Sequence, residues 1–229
     1  RYNYPHEASY SRTGQFGRTN ENLNVHRHLH EELEVMPEKT NIVFFLCIVL
    51  AGNGEYNEAI SAGQRGLQLA RDSGDWSTVS MILNTLGWIY HDLLNIDLAL
   101  RYNNEAVENA RAHGKSRASG AVPVSLLNLG MDCLCKNDYE NAERYFTEVV
   151  NQYQQHRLGW WRMETRILLG RGEIAFAKAE YEKALKFAED SLVISEKAGA
   201  KKYMAKGLKL KAEVLAKMGN MEDAIELME

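Results

Sequence analysis

Three ten-residue segments share one pattern: GEYNEAISAG (Gly54–Gly63), NDYENAERYF (Asn137–Phe146) and AEYEKALKFA (Ala179–Ala188). Each has a turn, an aromatic residue, and a small residue three positions later. Extending that register marks Thr19, Ala59, Ala99, Ala142, Ala184 and Ala224, spaced 40, 40, 43, 42 and 40 residues apart. Twelve positions before each stands Glu7, Cys47, Gly87, Gly130, Gly172 or Ala212, small in all but the first. A fixed period of this size limits the chain to an array of like supersecondary units. Each unit buries its apolar face only by stacking on its neighbours.

The spacing within a period is that of two antiparallel helices. Leu83, Leu86, Gly87 and Tyr90 are 3, 4 and 7 residues apart, one face of a helix. Ala99, Tyr102 and Ala106 form the facing stripe. The next period repeats the arrangement with Leu126, Leu129, Gly130 and Cys133, then Ala142, Phe146 and Val149. Where helices cross closely, Gly or Ala admits the opposing backbone and a large residue one turn away fills the groove. Only 3 prolines in 229 residues fit an all-α chain. Gly74, Gly114, Gly199 and Gly219 follow helical stretches and suit left-handed C-terminal caps. Asp75 and Ser77 are placed to cap the next helix. Pro37 lies between the first two repeats, and Pro123 fits a helix that begins near Ser119, with the proline in its first turn.

Leu83, Leu86-Gly87, Tyr90, Ala99 and Ala106 match the tetratricopeptide pattern, and the register resembles a tetratricopeptide solenoid over essentially all 229 residues. Its standard period is 34 residues, so these longer repeats hold roughly one extra helical turn. The fold this implies is a right-handed α-α superhelix of about six hairpins. The repeats are expected at 1–36, 37–73, 74–114, 115–157, 158–199 and 200–229 of a single solenoid. Long repeats of this kind resemble the arrays of bacterial maltose-regulon-activator-type regulators and ATPase–cyclase regulators. The stretch from Leu158 to Met228 carries that likeness most closely, through its Trp/Arg-rich helix start and its later lysine-rich helix start. The resemblance implies a regulatory array beside a nucleotide-binding switch. Neither end carries a polar capping repeat, so the chain is expected to be an excerpt of a longer one.

Composition excludes several function classes. A net charge of −4 argues against direct nucleic-acid binding driven by charge. Cys47, Cys133 and Cys135 make no disulfide framework and no C-x-x-C pair, which points to a reducing cytoplasm. The most apolar run, Ile42–Gly52, is 11 residues, whereas a membrane span needs about 20. It reads as a buried helix. AGNGEY lacks the Gly-Lys-Ser/Thr ending of a phosphate loop. His26, His28 and His30, with Glu34 a further turn on, supply no evident third metal ligand beyond a shared face. Cys133 occupies a core position and Cys135 another face, so neither reads as a nucleophile. No cofactor, metal or catalytic residue is expected, and the chain is not expected to be an enzyme.

In a tetratricopeptide superhelix the first helix of each repeat lines the concave face. The resemblance thus implies a partner groove of Asn84, Trp88, His91, Asn128, Met131, Arg166, Glu173, Lys206 and Lys209, with Leu134, Leu169, Phe176 and Glu213 alongside. Arg162, Arg166, Lys201 and Lys202 form a candidate anion site. Asn128 with Arg166 resembles part of the carboxylate clamp of some tetratricopeptide domains, although Gly170 stands where a second cation would be. The plainer alternative for the lysines is a solvated face with i,i+4 charge pairs. Of the adjacent Trp160 and Trp161, only one faces the core. The expected function is a non-catalytic protein–protein interaction scaffold, the regulatory arm of a larger bacterial signalling or transcription-regulating protein. A protein, a peptide or a neighbouring domain would be its partner. The alternative is a small-ligand sensor domain of such a regulator.

Overall fold

The computed structural model describes residues 39–113, 121–153 and 160–228. The expected first repeat, with Glu7, Thr19, the three histidines, Glu34 and Pro37, lies outside the described residues, as do Gly114 and Ser119. Every element among the described residues is an α-helix. In chain order they are α1 Lys39–Gly52, α2 Tyr56–Asp72, α3 Trp76–Asp92, α4 Ile96–Ala112, α5 Ala121–Cys135, α6 Tyr139–Tyr153, α7 Trp160–Ala177, α8 Tyr181–Lys197, α9 Lys201–Met218 and α10 Met221–Glu226. Odd-numbered helices are the first of each hairpin and even-numbered ones the second. Pro123 is the third residue of α5, inside its first turn, where its missing N–H costs no hydrogen bond.

Contacts divide the chain into two compact units, one ending at Asp132 within α5 and the other running from Cys133 to Glu229. In the first, α1 packs on α2, α2 on α3, α3 on α4, and α1 also on α3. In the second, α6 packs on α7, α7 on α8, α8 on α9, α9 on α10, and α7 also on α9.

The turns that close the hairpins follow the repeat register. Five residues before each small anchor sits a residue in the left-handed region: Gly54 (φ +85°), Leu94 (+59°), Asn137 (+58°), Ala179 (+57°) and Gly219 (+93°). Each turn is closed by a backbone pair. In the second hairpin Asn95 N–H donates to Tyr90 O at 2.9 Å and Leu94 N–H to His91 O at 2.9 Å. The other four repeat this, from Glu55 to Leu50, Asp138 to Cys133, Glu180 to Ala175 and Asn220 to Leu215. This is the Schellman arrangement, which satisfies carbonyls left over at a helix end. The expected caps Gly74, Gly199 and Gly219 all have positive φ. Asp75, not Ser77, caps α3, its side chain accepting from Thr78 N–H at 3.1 Å.

Leu94 and Ala179 occupy the left-handed position without being glycine, and Leu94 is 80% exposed, so its side chain gains little there. The strain is worth roughly 1–2 kcal/mol for an L-residue. The extra freedom of an unfolded glycine offsets about 0.4–1 kcal/mol of any relief. Leu94→Gly and Ala179→Gly are each expected to raise stability by about 0.5 kcal/mol, additively because they lie in separate units. Urea denaturation of both single variants and the double variant checks this; a loss of stability in either single variant refutes it.

The small anchors lie where the helices touch. Ala59, Ala99, Ala142 and Ala184 are 0% exposed and Ala224 is 6%. Leu83, Leu86, Phe146 and Val149 are also fully buried, and Tyr90 stacks on Tyr102 with ring centroids 5.3 Å apart. The apolar run from Ile42 to Gly52 lies in α1, with Val43, Cys47, Val49, Leu50 and Ala51 buried. No helix among the described residues is long and apolar enough to cross a membrane.

Candidate functional site

Asn84, Trp88 and His91 lie at i, i+4 and i+7 on α3, one stripe of the helix. All three are half-buried. Trp88 packs its ring against the cluster formed by Cys47, Leu50, Ala59 and Ile89. Asn84 and His91 meet a polar network that runs through the interior of the first unit. His91 Nδ1 lies 2.7 Å from Asp132 Oδ1. Asn103 Nδ2 donates to Asp132 Oδ2 at 2.9 Å. Asn128 Nδ2 and Asn84 Nδ2 donate to Asn103 Oδ1 at 3.3 and 3.5 Å. Asp132 and Asn103 are 0% exposed and Asn128 3%.

Three helices build this network. Asn103 comes from α4, Asn128 and Asp132 from one face of α5, and Asn84 and His91 from α3. Gly87 makes it possible. A Cβ at that position would come within 2.5 Å of Asn103 Cγ, so the space beside α3 that a side chain would occupy holds the Asn103 amide. The motif glycine, expected to admit a helix backbone, here admits a polar side chain. Elsewhere the reason is apolar: a Cβ at Gly170 would meet Phe146 Cζ at 2.6 Å, and one at Gly172 would meet Leu210 Cδ2 at 2.6 Å.

Burying a carboxylate is costly unless it is hydrogen-bonded, and here both oxygens are engaged. Register shows how unusual the choice is. Positions equivalent to Asp132 in the other repeats hold Val49, Ile89, Ile174 and Val214, all buried. Positions equivalent to Asn103 hold Gly63, Phe146, Ala188 and Met228. The array thus replaces two apolar residues at neighbouring positions by a matched polar pair. Neither Asn103 nor Asp132 was among the residues expected from the groove pattern. The signal for both was a polar side chain in an otherwise apolar register column.

The remaining expected site residues are placed as follows. Met131 is half-buried on α5. Leu134 and Leu169 are 7% and 3% exposed and belong to the core rather than to a groove. Asn128 has its amide committed to Asn103 and lies in the first unit, while Arg166 lies in the second. On α7, Arg162 and Arg166 are half-buried and Glu173 is exposed. Trp161, at the start of α7, meets Tyr203 of α9 edge-on with centroids 6.3 Å apart. Lys201, Lys202, Lys206 and Lys209 are exposed on α9, and Lys209 pairs with Glu213 at 3.6 Å, an i,i+4 contact.

Cys47 is fully buried, its Sγ donating to Ala59 O at 3.2 Å, and burial pushes its thiol up to about 12. Cys133 is buried and Cys135 exposed. Near pH 8 a disulfide reagent is therefore expected to titrate Cys135 alone in the native protein, and all three thiols after denaturation. Rapid native reaction of Cys47 contradicts that burial. Among the described residues, no group of three or more His, Cys, Asp or Glu side chains is arranged to hold a metal ion.

The architecture defines a class: an all-helical repeat array whose hairpins share one register. Residues 40–112 match the tetratricopeptide repeat family model. Solved structures share the fold at low identity. BtubC (BKLC) from P. vanneervenii superposes with a TM-score of 0.63 at 18% identity, over 96% of this chain and 88% of that one. NprR in complex with its cognate peptide NprX gives 0.70 at 17%, over 93% of this chain and 59% of NprR. A Rap protein complexed with Competence and Sporulation Factor gives 0.69 at 15%, over 94% and 71%. The chain thus spans about three fifths of NprR. No curated protein matches the sequence.

Proposed function

We propose that this chain is a non-catalytic protein-interaction scaffold that binds an extended peptide along the half-buried Asn84–Trp88–His91 stripe of α3, as the regulatory arm of a larger cytoplasmic signalling or transcription-regulating protein. The observation that carries the reading is the buried Asn103–Asp132–Asn128 network, which holds Asn84 and His91 on either side of Trp88. An array needs no polar residues at those positions to fold, as its other repeats demonstrate with Val, Ile, Gly, Phe and Ala. Such groups persist where they orient side chains that work at the surface. A half-buried Trp flanked by fixed polar groups is a usual anchor for a peptide. Two proteins of the same fold, NprR and Rap, were solved as complexes with NprX and with Competence and Sporulation Factor.

The test is selection of random displayed linear peptides on the intact protein, followed by calorimetry with the enriched sequences. Trp88→Ala is expected to weaken binding at least tenfold with helicity unchanged, since removing a central aromatic anchor typically loses about 2 kcal/mol or more. Enriched peptides that bind Trp88→Ala as well as the parent protein exclude α3 as the site. Thermal stabilisation by a sugar, nucleotide or phosphate, with no peptide enriched, favours a small-ligand sensor instead.

A further inference from the structure

His91 is where the buried network reaches the surface. Its side chain is 20% exposed and that of Asp132 is 0%. A carboxylate offers only acceptors, so the 2.7 Å contact makes Nδ1 of His91 the donor. The ring is held there by a chain of fixed groups. Asn103 occupies the second Asp132 oxygen, Asn128 and Asn84 hold the Asn103 carbonyl, and Gly87 leaves the Asn103 amide its space. With its proton on Nδ1, a neutral imidazole has a bare lone pair on Nε2. No donor among the described residues meets that nitrogen. Asn84, two turns earlier on the same stripe, donates its amide N–H to Asn103 Oδ1 at 3.5 Å. The Nε2 acceptor therefore stands one turn from Trp88 on α3, above a buried carboxylate. This arrangement disfavours an anionic group and suits N–H donors.

We propose that His91 is an acceptor-only anchor that takes a main-chain N–H of a bound extended peptide through Nε2, with Asp132 and Asn103 as the residues that position it. The inference rests on the peptide-binding reading above and specifies its chemistry. A peptide backbone supplies neutral N–H donors at regular intervals whatever its sequence, and the Trp88 ring beside the His91 acceptor takes one apolar side chain.

The experiment has two arms, both on the whole 229-residue protein. In the first, the ¹⁵N shifts of the His91 ring are recorded at neutral pH without ligand. The proposal requires the proton on Nδ1 and a bare Nε2, and Asp132→Asn is expected to release that single tautomer. A ring protonated on Nε2, or on both nitrogens, overturns the proposal. In the second arm, peptides enriched from a random linear display library are methylated at one main-chain nitrogen at a time. One methylation is expected to weaken binding to the parent protein about tenfold and to have little further effect on His91→Phe. His91→Gln, which keeps an acceptor, is expected to recover part of the affinity that His91→Phe loses. Peptides that bind, but bind His91→Phe equally well or show no coupling to any methylated position, overturn the anchor and leave the peptide reading standing. If no peptide is enriched, the peptide reading falls and the anchor falls with it.

Discussion

Replacing Gly87 by Ala is expected to destabilise the first unit by about 2–4 kcal/mol, although alanine is the better helix former by about 1 kcal/mol. The sign is decided by geometry. The added Cβ would stand within 2.5 Å of Asn103 Cγ, closer than any ordinary contact, and the neighbour in its way is not the free end of a flexible chain. The Asn103 amide is fastened on one side to Asp132 and on the other to Asn128 and Asn84, so it cannot swing aside and keep those bonds. Either the helices separate or the network breaks, and both leave buried polar groups unsatisfied. Urea denaturation monitored by circular dichroism reads the effect. Gly87→Ala as stable as the parent, or more so, would show that the Asn103 amide has another place to go. Within the same series, Gly54→Ala is expected to lose less. Its Cβ would meet nothing within 4 Å, and its penalty comes only from a φ of +85°.

The second large effect concerns Asn103 itself. Asn103→Leu removes the donor to Asp132 Oδ2 and leaves a fully buried carboxylate with His91 as its only remaining partner among the described residues. Breaking a buried polar pair from one side costs on the order of 3–5 kcal/mol, because the other partner stays behind, desolvated and unpaired. Converting both Asn103 and Asp132 to Leu removes the carboxylate as well. The double variant is therefore expected to be more stable than Asn103→Leu alone, by about 2 kcal/mol. The other repeats already show that apolar side chains fit these columns: Ile89 and Ile174 are buried at positions equivalent to Asp132. The comparison separates two roles that the network combines. The double variant is expected to keep the fold while losing the orientation of His91, so its peptide affinity should fall even as its stability recovers. A double variant less stable than both single ones would mean that the amide and the carboxylate contribute through packing that leucine cannot reproduce.

The scaffold was legible in the sequence because it is written in repeated, local terms. Ala59, Ala99, Ala142, Ala184 and Ala224 recur at one register and are all buried, and the left-handed turn residues recur five positions before them. Glycine marks that turn only at Gly54 and Gly219. Leu94, Asn137 and Ala179 take the same backbone conformation, and propensity gives no hint of it. There the Schellman hydrogen bonds and helix packing override the local preference. The site was only partly legible. Asn84, Trp88 and His91 could be named from the tetratricopeptide resemblance, which implies that the first helix of each repeat lines the groove, and they share one stripe of α3. Asn103 and Asp132 could not be reached that way. Their partnership joins α4 to α5 across 29 residues, and no periodicity within a single helix encodes a contact between two. Leu134 and Leu169 failed for a related reason. They sit three residues beyond Met131 and Arg166, and that step rotates them into the core.

The matched pair of polar residues also constrains how this array could have grown or could be rebuilt. A repeat protein assembled from like hairpins is open to duplication, deletion and reordering, because every junction presents much the same apolar surface. The junction between α4 and α5 is different. The hairpin that contributes Asn103 must be followed by the one that contributes Asp132, since any other successor offers Val49, Ile89, Ile174 or Val214 in the carboxylate's column. A hairpin that carries Asp132 behind any other described predecessor would set its charge against glycine, phenylalanine, alanine or methionine. One hydrogen-bonded pair therefore gives these modules a reading order and pins the His91 edge to a single address along the chain.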